Sequence, residues 1–397
     1  MPNNYSYQGT DFDNLFITDY RIIDEFVGSA TLWMWGYNYN GQLGTNNTTQ
    51  YTSPVQTVSG GAAWRQISVN NRQSGAIKTD GTLWIWGNNN YGQMGDNTIT
   101  RKSSPVQTVA GGTNWYQVSA GYASAGIKTD GTLWIWGQNN YGQLGTNNTT
   151  PYSSPVQTVA GGTNWRQVSS GGYCTAAIKT DGTLWLWGRN TKGQLGDNSS
   201  GSGAKKSSPV QTVAGGTIWK QVSICNYSTG AVKTDGTLWM WGYNSYGQLG
   251  DNTVTDKSSP IQTVTGGINW KQVAASDQHS AAIKTDGTLW LWGRNNYGQL
   301  GDNTRTDKSS PIQTVAGGAN WKQISVSFGT SGTIKTDGTL WMWGKNTTYG
   351  HLGDNTTTNK SSPIQTVAGG TNWKQVSAGY SQTGGLYFSN ETSATPS

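Results

Sequence analysis

Asp277 and His279 form the one acid and base pair that stands off the pattern of an otherwise repetitive chain. Two residues make neither a catalytic triad nor a metal set, because a triad needs a nucleophile oriented by the base and a metal needs several converging ligands. The other histidine, His351, takes the Gln place in a Gly-Gln-Leu-Gly string and reads as a framework substitution. Glutamate occurs at Glu25 and Glu391, and most aspartates belong to repeated Thr-Asp-Gly or Leu-Gly-Asp strings, so no paired carboxylate site for general acid and base work stands out. The Gly-Gln-Leu-Gly glycines lack the Lys and Ser or Thr that complete a phosphate loop. The expectation is a protein that is not an enzyme, needs no cofactor and holds no metal.

The chemistry left is recognition. Arg72, Tyr122, Tyr173, Tyr227, His279, Phe328 and Tyr380 stand at or near one equivalent point of seven repeated segments, with Asp277 close by. Aromatic rings and arginine are favoured where binding energy concentrates, since they bring contact area at little conformational cost. They also suit stacking on sugar rings. These eight residues are the candidate binding set, and packing together to plug a central channel is their structural alternative.

The elements that must position them follow from tryptophan. All 21 tryptophans belong to seven units of three, two in Thr-Leu-Trp-x-Trp-Gly and one in Trp-x-Gln, at a step of 50 to 54 residues. A period of this size means a propeller or solenoid whose unit cannot bury its apolar face alone. In the unit opening at Trp115, residues 115–119 alternate as a strand (A), 124–128 form a second (B), and Asp130-Gly131 marks a hairpin, expected as a type I′ turn. The third strand (C), at 132–137, carries large side chains on both faces, as a strand between two neighbouring sheets requires. After a Gly- and Asn-rich loop, a fourth strand (D) is expected to start on Pro155, since proline is tolerated at a strand's first residue. Helical periodicity is absent, so the fold is all-β.

The chain ends on matches to A and B at 373–388 and begins on a match to C at Ala30, so one blade is expected to be built from both ends, closing a seven-bladed propeller of four-stranded antiparallel blades. Comparing the seven units places variation in the A–B connections (69–73, 120–123, 170–174, 224–227, 275–279, 326–329 and 378–381) and at the C–D tips, such as 98–102 against 199–206. In a meander those connections leave on one face and the Asp-Gly turns on the other, so the variable loops share a face.

The formal net charge is +6, but lysine and arginine recur singly at repeat positions, which argues against a nucleic-acid stripe. Cys174 and Cys225 are too few for a disulfide framework. No apolar run is long enough to span a bilayer, and no basic-then-apolar leader opens the sequence. Residues 1–28 differ from the rest: Asp11, Asp13, Asp19, Asp24 and Glu25 face only Arg21, and Phe12, Phe16 and Phe26 make them aromatic. The expected organisation is an extension at 1–28, a propeller at 29–390 and a polar tail at 391–397.

The string Gly-Thr-Leu-Trp-x-Trp-Gly-x-Asn-x-x-Gly-Gln-Leu-Gly, at 131–145 and 236–250, resembles the regulator-of-chromosome-condensation (RCC1-like) repeat. That resemblance implies a seven-bladed propeller with a two-ended closing blade. It says less of function, because such propellers include a GTPase exchange factor, a β-lactamase inhibitor and a plant ultraviolet receptor. Trp-[Lys/Arg]-Gln is similar to the receptor's tryptophan–arginine clusters, but its recurrence in nearly every unit reads as framework. The string Gly-Thr-Asp-Phe-Asp-Asn-Leu-Phe at 9–16 is similar to short N-terminal segments of phage virion proteins. The expected function is a recognition propeller held by 1–28, through Phe12, Phe16 and Phe26, in a larger assembly, foremost a phage virion, with its loop face toward a host glycan, a host protein or a neighbouring virion protein. The alternative is a cytoplasmic scaffold or inhibitor. Neither nucleic acid nor membrane insertion is expected.

Overall fold

A computed structural model describes residues 30–388, apart from 60, 62 and 71. Residues 1–28 and 391–397, and with them Phe12, Phe16 and Phe26, lie outside the described residues. The rest form seven four-stranded antiparallel sheets in the order A-B-C-D. Inner strands such as Trp115–Ser119 pack against the inner strands of the two neighbouring blades and so enclose the axis. The closing blade takes A and B from Trp373–Ala378 and Gln382–Phe388, and C and D from Ala30–Gly36 and Tyr51–Gln56. Its B and C strands zip in continuous register from Ala30 opposite Phe388 to Gly36 opposite Gln382, so the last blade is completed by both ends of the described chain and the ring closes. Among the described residues no helix is long and apolar enough to cross a membrane.

Two local expectations need correction. The Asp-Gly hairpin is present, but Gly131 (φ +78°) has the left-handed conformation while Asp130 does not. Gly131 N–H donates to the Lys128 carbonyl at 2.9 Å, and the Asp130 carboxylate accepts from the Thr132 amide and hydroxyl at 2.9 and 2.7 Å. This is a type I turn followed by a glycine bulge, in which Asp caps the loop rather than adopting positive φ. Strand D spans Tyr152–Gln157 and so holds Pro155 inside it. The register slips between Tyr152 and Val156, and this outermost strand needs no donor at the bulge, which is why proline is tolerated there.

The blades are joined by repeated polar links. The strand-A glutamine of each unit reaches the next blade's strand A with both ends of its amide: Gln117 Nε2 donates to the Val168 carbonyl (3.0 Å) while its Oε1 accepts from Val168 N–H (2.9 Å). The pattern continues through Gln323 with Val376 (2.8 and 2.9 Å) and closes from Gln375 to Ile67 (3.0 and 2.9 Å). Further out, the second tryptophan of strand C donates to a carbonyl in the preceding blade's Gly-x-x-Gly loop, as Trp136 does to Gln93 at 2.9 Å and Trp35 to His351 at 2.7 Å. The Gln93 carbonyl also accepts from the Ser124 hydroxyl at 2.9 Å.

Apolar burial follows the same seams. Leu133, Ile135 and Leu144 of one blade pack with Trp165, Val168 and Trp187 of the next, and this mixed cluster recurs around the ring. The strand-A tryptophans and the second strand-C tryptophans are buried, and the strand-B lysine lies over two indoles at once, Lys128 Nζ being 4.9 and 5.0 Å from the Trp115 and Trp134 rings. In the closing blade Tyr387 takes that lysine's place, 5.2 Å from Trp373.

One seam is deficient. In six seams a strand-A serine hydroxyl accepts from the next blade, as Ser119 does from Ser170 N–H at 2.9 Å, but Ala274 stands at that position in the seam facing Val326. The Gln272 bonds across it are also long, at 3.4 and 3.3 Å. Ala274→Ser should therefore stabilise the fold by about 1 kcal/mol, whereas Gln323→Leu, which leaves two buried backbone groups unpaired, should cost about 2–4 kcal/mol. Urea unfolding of both variants measures this, and a stabilising Gln323→Leu would refute the role of the seam.

Candidate recognition face

The A–B connections and the Gly-Gln-Leu-Gly loops emerge on one face. Position is set by a backbone bond: the carbonyl of the residue before strand B accepts from the amide that follows the strand-C glycine. Tyr122 is caught by Gln138 N–H (2.8 Å), Tyr173 by Arg189 N–H (2.9 Å) and Tyr227 by Tyr243 N–H (2.9 Å). Arg72 sits equivalently, exposed and at φ +82°, bound through its carbonyl to Asn88 N–H. Phe328 and Tyr380 come one residue earlier, the equivalent places being Gly329 and Ser381. Phe328 and Gly329 form the two-residue turn between paired Ser327 and Thr330, with Gly329 at φ +84°.

The aromatic residues gather in two groups. Tyr122 stacks on Tyr173 (ring centroids 5.7 Å, 19°), and Tyr91 and Tyr141 stand edge-on to them. The Arg189 guanidinium lies 5.3, 5.6 and 4.8 Å from the Tyr141, Tyr173 and Tyr227 rings and donates to the Tyr227 hydroxyl at 3.1 Å. In the second group Phe328 stacks on Tyr380 at 4.4 Å, with Lys345 Nζ 5.2 and 5.6 Å from the two rings. Burial pushes the Tyr173 and Tyr380 phenols up and the Lys345 ammonium down.

A cleft of about 430 Å³ opens beside these groups, lined by Arg189, Lys192, Tyr227, Tyr243, Tyr246, Asp277, Gln278 and Phe328. Lys192 pairs with Asp256 at 3.2 Å and lies 5.0 Å from the Tyr243 ring. Asp277 accepts from the Asn226 amide (2.9 Å) and side chain (2.8 Å), and burial raises its carboxyl above the usual range. The buried Gln278 side-chain oxygen Oε1 has no hydrogen-bond partner among the described residues.

His279 does not stand on this face. It opens strand B, His279–Lys284, fully buried, with Nδ1 3.2 Å from the Ser276 hydroxyl and Nε2 2.9 Å from that of Ser331. Strand alternation turns it into the seam, away from the loop it adjoins, and Asp277 bonds Asn226 instead. The two side chains thus bond to different partners, and among the described residues no group of three or more His, Cys, Asp or Glu could hold a metal. Cys174 and Cys225 are free thiols; Cys174 is buried and donates to the Cys225 carbonyl at 2.8 Å.

Arg189, Lys192, Tyr243, Tyr246 and Lys345 are functional candidates that the loop comparison passed over. A signal was present: the residue after Trp-Gly runs Tyr37, Asn88, Gln138, Arg189, Tyr243, Arg294 and Lys345 inside an otherwise constant Trp-Gly-x-Asn string.

Seven four-stranded blades around an axis, with diversified side chains on one face, define a seven-bladed β-propeller. The chain belongs to the RCC1-like domain family, whose model matches residues 26–266 and 127–387. It is 33% identical over 193 residues to the ultraviolet-B receptor UVR8 of Arabidopsis thaliana, covering 48% of this chain and 43% of that protein. It is 28% identical over 321 residues to the mitochondrial RCC1 domain-containing protein RUG3 of the same plant, covering 79% and 61%. The chain thus matches less than two thirds of the length of either relative. Among solved structures, Prp20p from Saccharomyces cerevisiae superposes with a TM-score of 0.80 at 17% identity, over 92% of this chain and 93% of that one. Human WBSCR16 superposes at 0.78 and 19% identity, over 91% and 100%. At such identities these two structures speak for the fold alone.

Both histidines are neutral in the fold. Burial lowers His279 and His351 to about 3, and neither His351 ring nitrogen has a hydrogen-bond partner among the described residues. The unfolded chain protonates near the ordinary value, so the contribution of these residues is complete above about pH 6.5 and is lost as pH falls toward about 3, at about 1.4 kcal/mol per pH unit for each. His351→Gln, which restores the repeat residue, should flatten the acid side of the stability profile by one proton's worth. Urea melts between pH 7.5 and 4.5 test this, and identical slopes for variant and parent would exclude it.

Proposed function

We propose that this chain is a non-catalytic recognition propeller that holds a protein partner on its A–B loop face. The observation that carries the proposal is convergence: Tyr227, Arg189, Lys192, Tyr243, Tyr246, Asp277, Gln278 and Phe328 come from different blades yet line one cleft. Framework positions repeat, so nothing in blade packing demands these particular residues. Tyrosine, phenylalanine and arginine in a part-buried cleft are the composition that concentrates binding energy. Support also comes from fold relatives: Prp20p is described by its binding properties to Gsp1p and histones, and yeast RCC1 (Prp20) has been crystallised with Kap60 bound.

Two finer readings belong to the same proposal. The stacked Tyr122 and Tyr173 rings suit a sugar face, which supports a glycan as part of the ligand. The acidic, aromatic composition of residues 1–28 supports a tether into a larger assembly, in a virion or in a cytoplasmic complex; the plant, human and yeast relatives lend no support to the virion setting.

The test compares partners retained by the intact protein with those retained by a variant carrying Tyr122, Tyr173, Tyr227 and Phe328 changed to Ala. A partner of this face should lose at least about tenfold in affinity, roughly 1.4 kcal/mol, while the circular dichroism spectrum is kept. Undiminished retention of every partner by the folded variant would sink the proposal.

A further inference from the structure

Every aromatic ring in the wall of the loop-face cleft carries a cation. Arg189 lies 4.8 Å from the Tyr227 ring, Lys192 5.0 Å from Tyr243, Arg294 4.7 Å from Tyr246 and Lys345 5.2 Å from Phe328. The four cations come from three blades, and all are half-buried.

Carboxylates do not match them. Among the described residues, only Lys192 of the four has an ion-pair partner, Asp256 at 3.2 Å, and Asp256 also accepts from Asn244 N–H at 2.8 Å. Asp277, the carboxylate in the cleft wall, accepts from the Asn226 amide and side chain at 2.9 and 2.8 Å, and burial favours its neutral form. Aromatic faces attract a cation without cancelling its charge, so Arg189, Arg294 and Lys345 give this side of the face an excess of positive charge.

A second feature concerns shape rather than charge. Gln278 lines the cleft at 5% exposure, and its Oε1 has no hydrogen-bond partner among the described residues. A buried acceptor without a donor is costly. Elsewhere in the fold buried glutamines meet that need with a peptide group, as Gln117 does with both the N–H and the carbonyl of Val168. A backbone amide brought in by a ligand would do the same for Gln278.

We infer that the cleft receives an acidic peptide segment of the protein partner, its carboxylates set against Arg189, Arg294 and Lys345 and a backbone amide against Gln278. The inference rests on the protein-binding reading of this face and narrows that reading to one chemistry. A basic segment would meet like charge. An inorganic anion would offer acceptors but no amide, and would leave most of a cleft of about 430 Å³ unfilled. Guanidinium groups, moreover, bind carboxylates through paired hydrogen bonds.

The probe is an acetylated and amidated hexaglutamate, titrated into the full chain by calorimetry. It should bind saturably and weaken with added salt. Arg294→Gln/Lys345→Gln should bind at least about tenfold more weakly with the circular dichroism spectrum kept. Gln278→Leu, which leaves the charge unchanged, should also weaken binding, whereas Arg294→Lys and the exposed control Lys205→Gln should match the parent. The inference fails if the double variant or Gln278→Leu binds like the parent, or if Arg294→Lys or Lys205→Gln weakens binding as much as the double variant does. It also fails if an oligogalacturonate of equal charge binds as tightly, which would make the cleft a site for carboxylated glycans. Binding that emerges only after Asp11, Asp13, Asp19, Asp24 and Glu25 are changed to their amides would overturn it too, in favour of the chain's own acidic segment. A natural partner lost by the variant carrying Tyr122, Tyr173, Tyr227 and Phe328 changed to Ala, yet kept by Arg294→Gln/Lys345→Gln, would overturn the acidic ligand and leave the protein-binding reading standing. Retention of every partner by both variants would sink both.

Discussion

The two-pronged glutamine contact between adjacent inner strands is the interaction on which the rest depends. The inner strand of a blade has one edge paired within its own sheet and one turned toward the axis, and buried backbone groups without partners are costly. Gln117, Gln323 and Gln375 answer this with a carboxamide that presents a donor and an acceptor together, matching the amide and carbonyl of a single residue of the next blade. Seven such contacts fix both the spacing and the relative height of the blades. The last of them joins Gln375 to Ile67, so the ring closes through the blade built from both ends of the described chain.

With the seams fixed by side chains that repeat, the loops above them are released from structural duty. The carbonyl before strand B is held by a backbone amide whatever side chain it carries, which is why Arg72, Tyr122, Tyr173 and Tyr227 can differ at one structural position. The tryptophans take the complementary role. Their indole N–H groups are committed to carbonyls or threonine hydroxyls, and their rings to burial and to the strand-B lysines, so they hold the scaffold on which variation is displayed.

Much of the fold was legible because its signals are periodic. The blade number, the strand order and the two-ended closure follow from counting Trp-x-Gln and Thr-Leu-Trp-x-Trp-Gly strings. Local geometry was less so. Asp-Gly signals a hairpin, but whether Asp adopts positive φ or caps a glycine bulge depends on loop length, and Asp130 caps. Pro155 sits inside strand D because that strand is outermost and bulged, which the local string does not state. His279 adjoins a variable loop in sequence, yet pleat alternation buries it against Ser276 and Ser331. Arg189 and Lys345 were hidden inside a framework string and reach the face only because their amides cap the neighbouring loop.

The sequence by itself determined the kind of element, its repetition and the location of its variation, because hydrophobic period and turn residues act over a few neighbours. It also showed cations recurring singly at repeat positions rather than in runs. Only the closed ring decided which side chains meet. Sevenfold repetition about an axis carries residues about 50 positions apart to one rim, so Tyr227 meets Arg189, Asp277 and Phe328 in one cleft. Coulomb energy and contact depend on distance in space, and in a propeller that distance is set by closure rather than by separation along the chain.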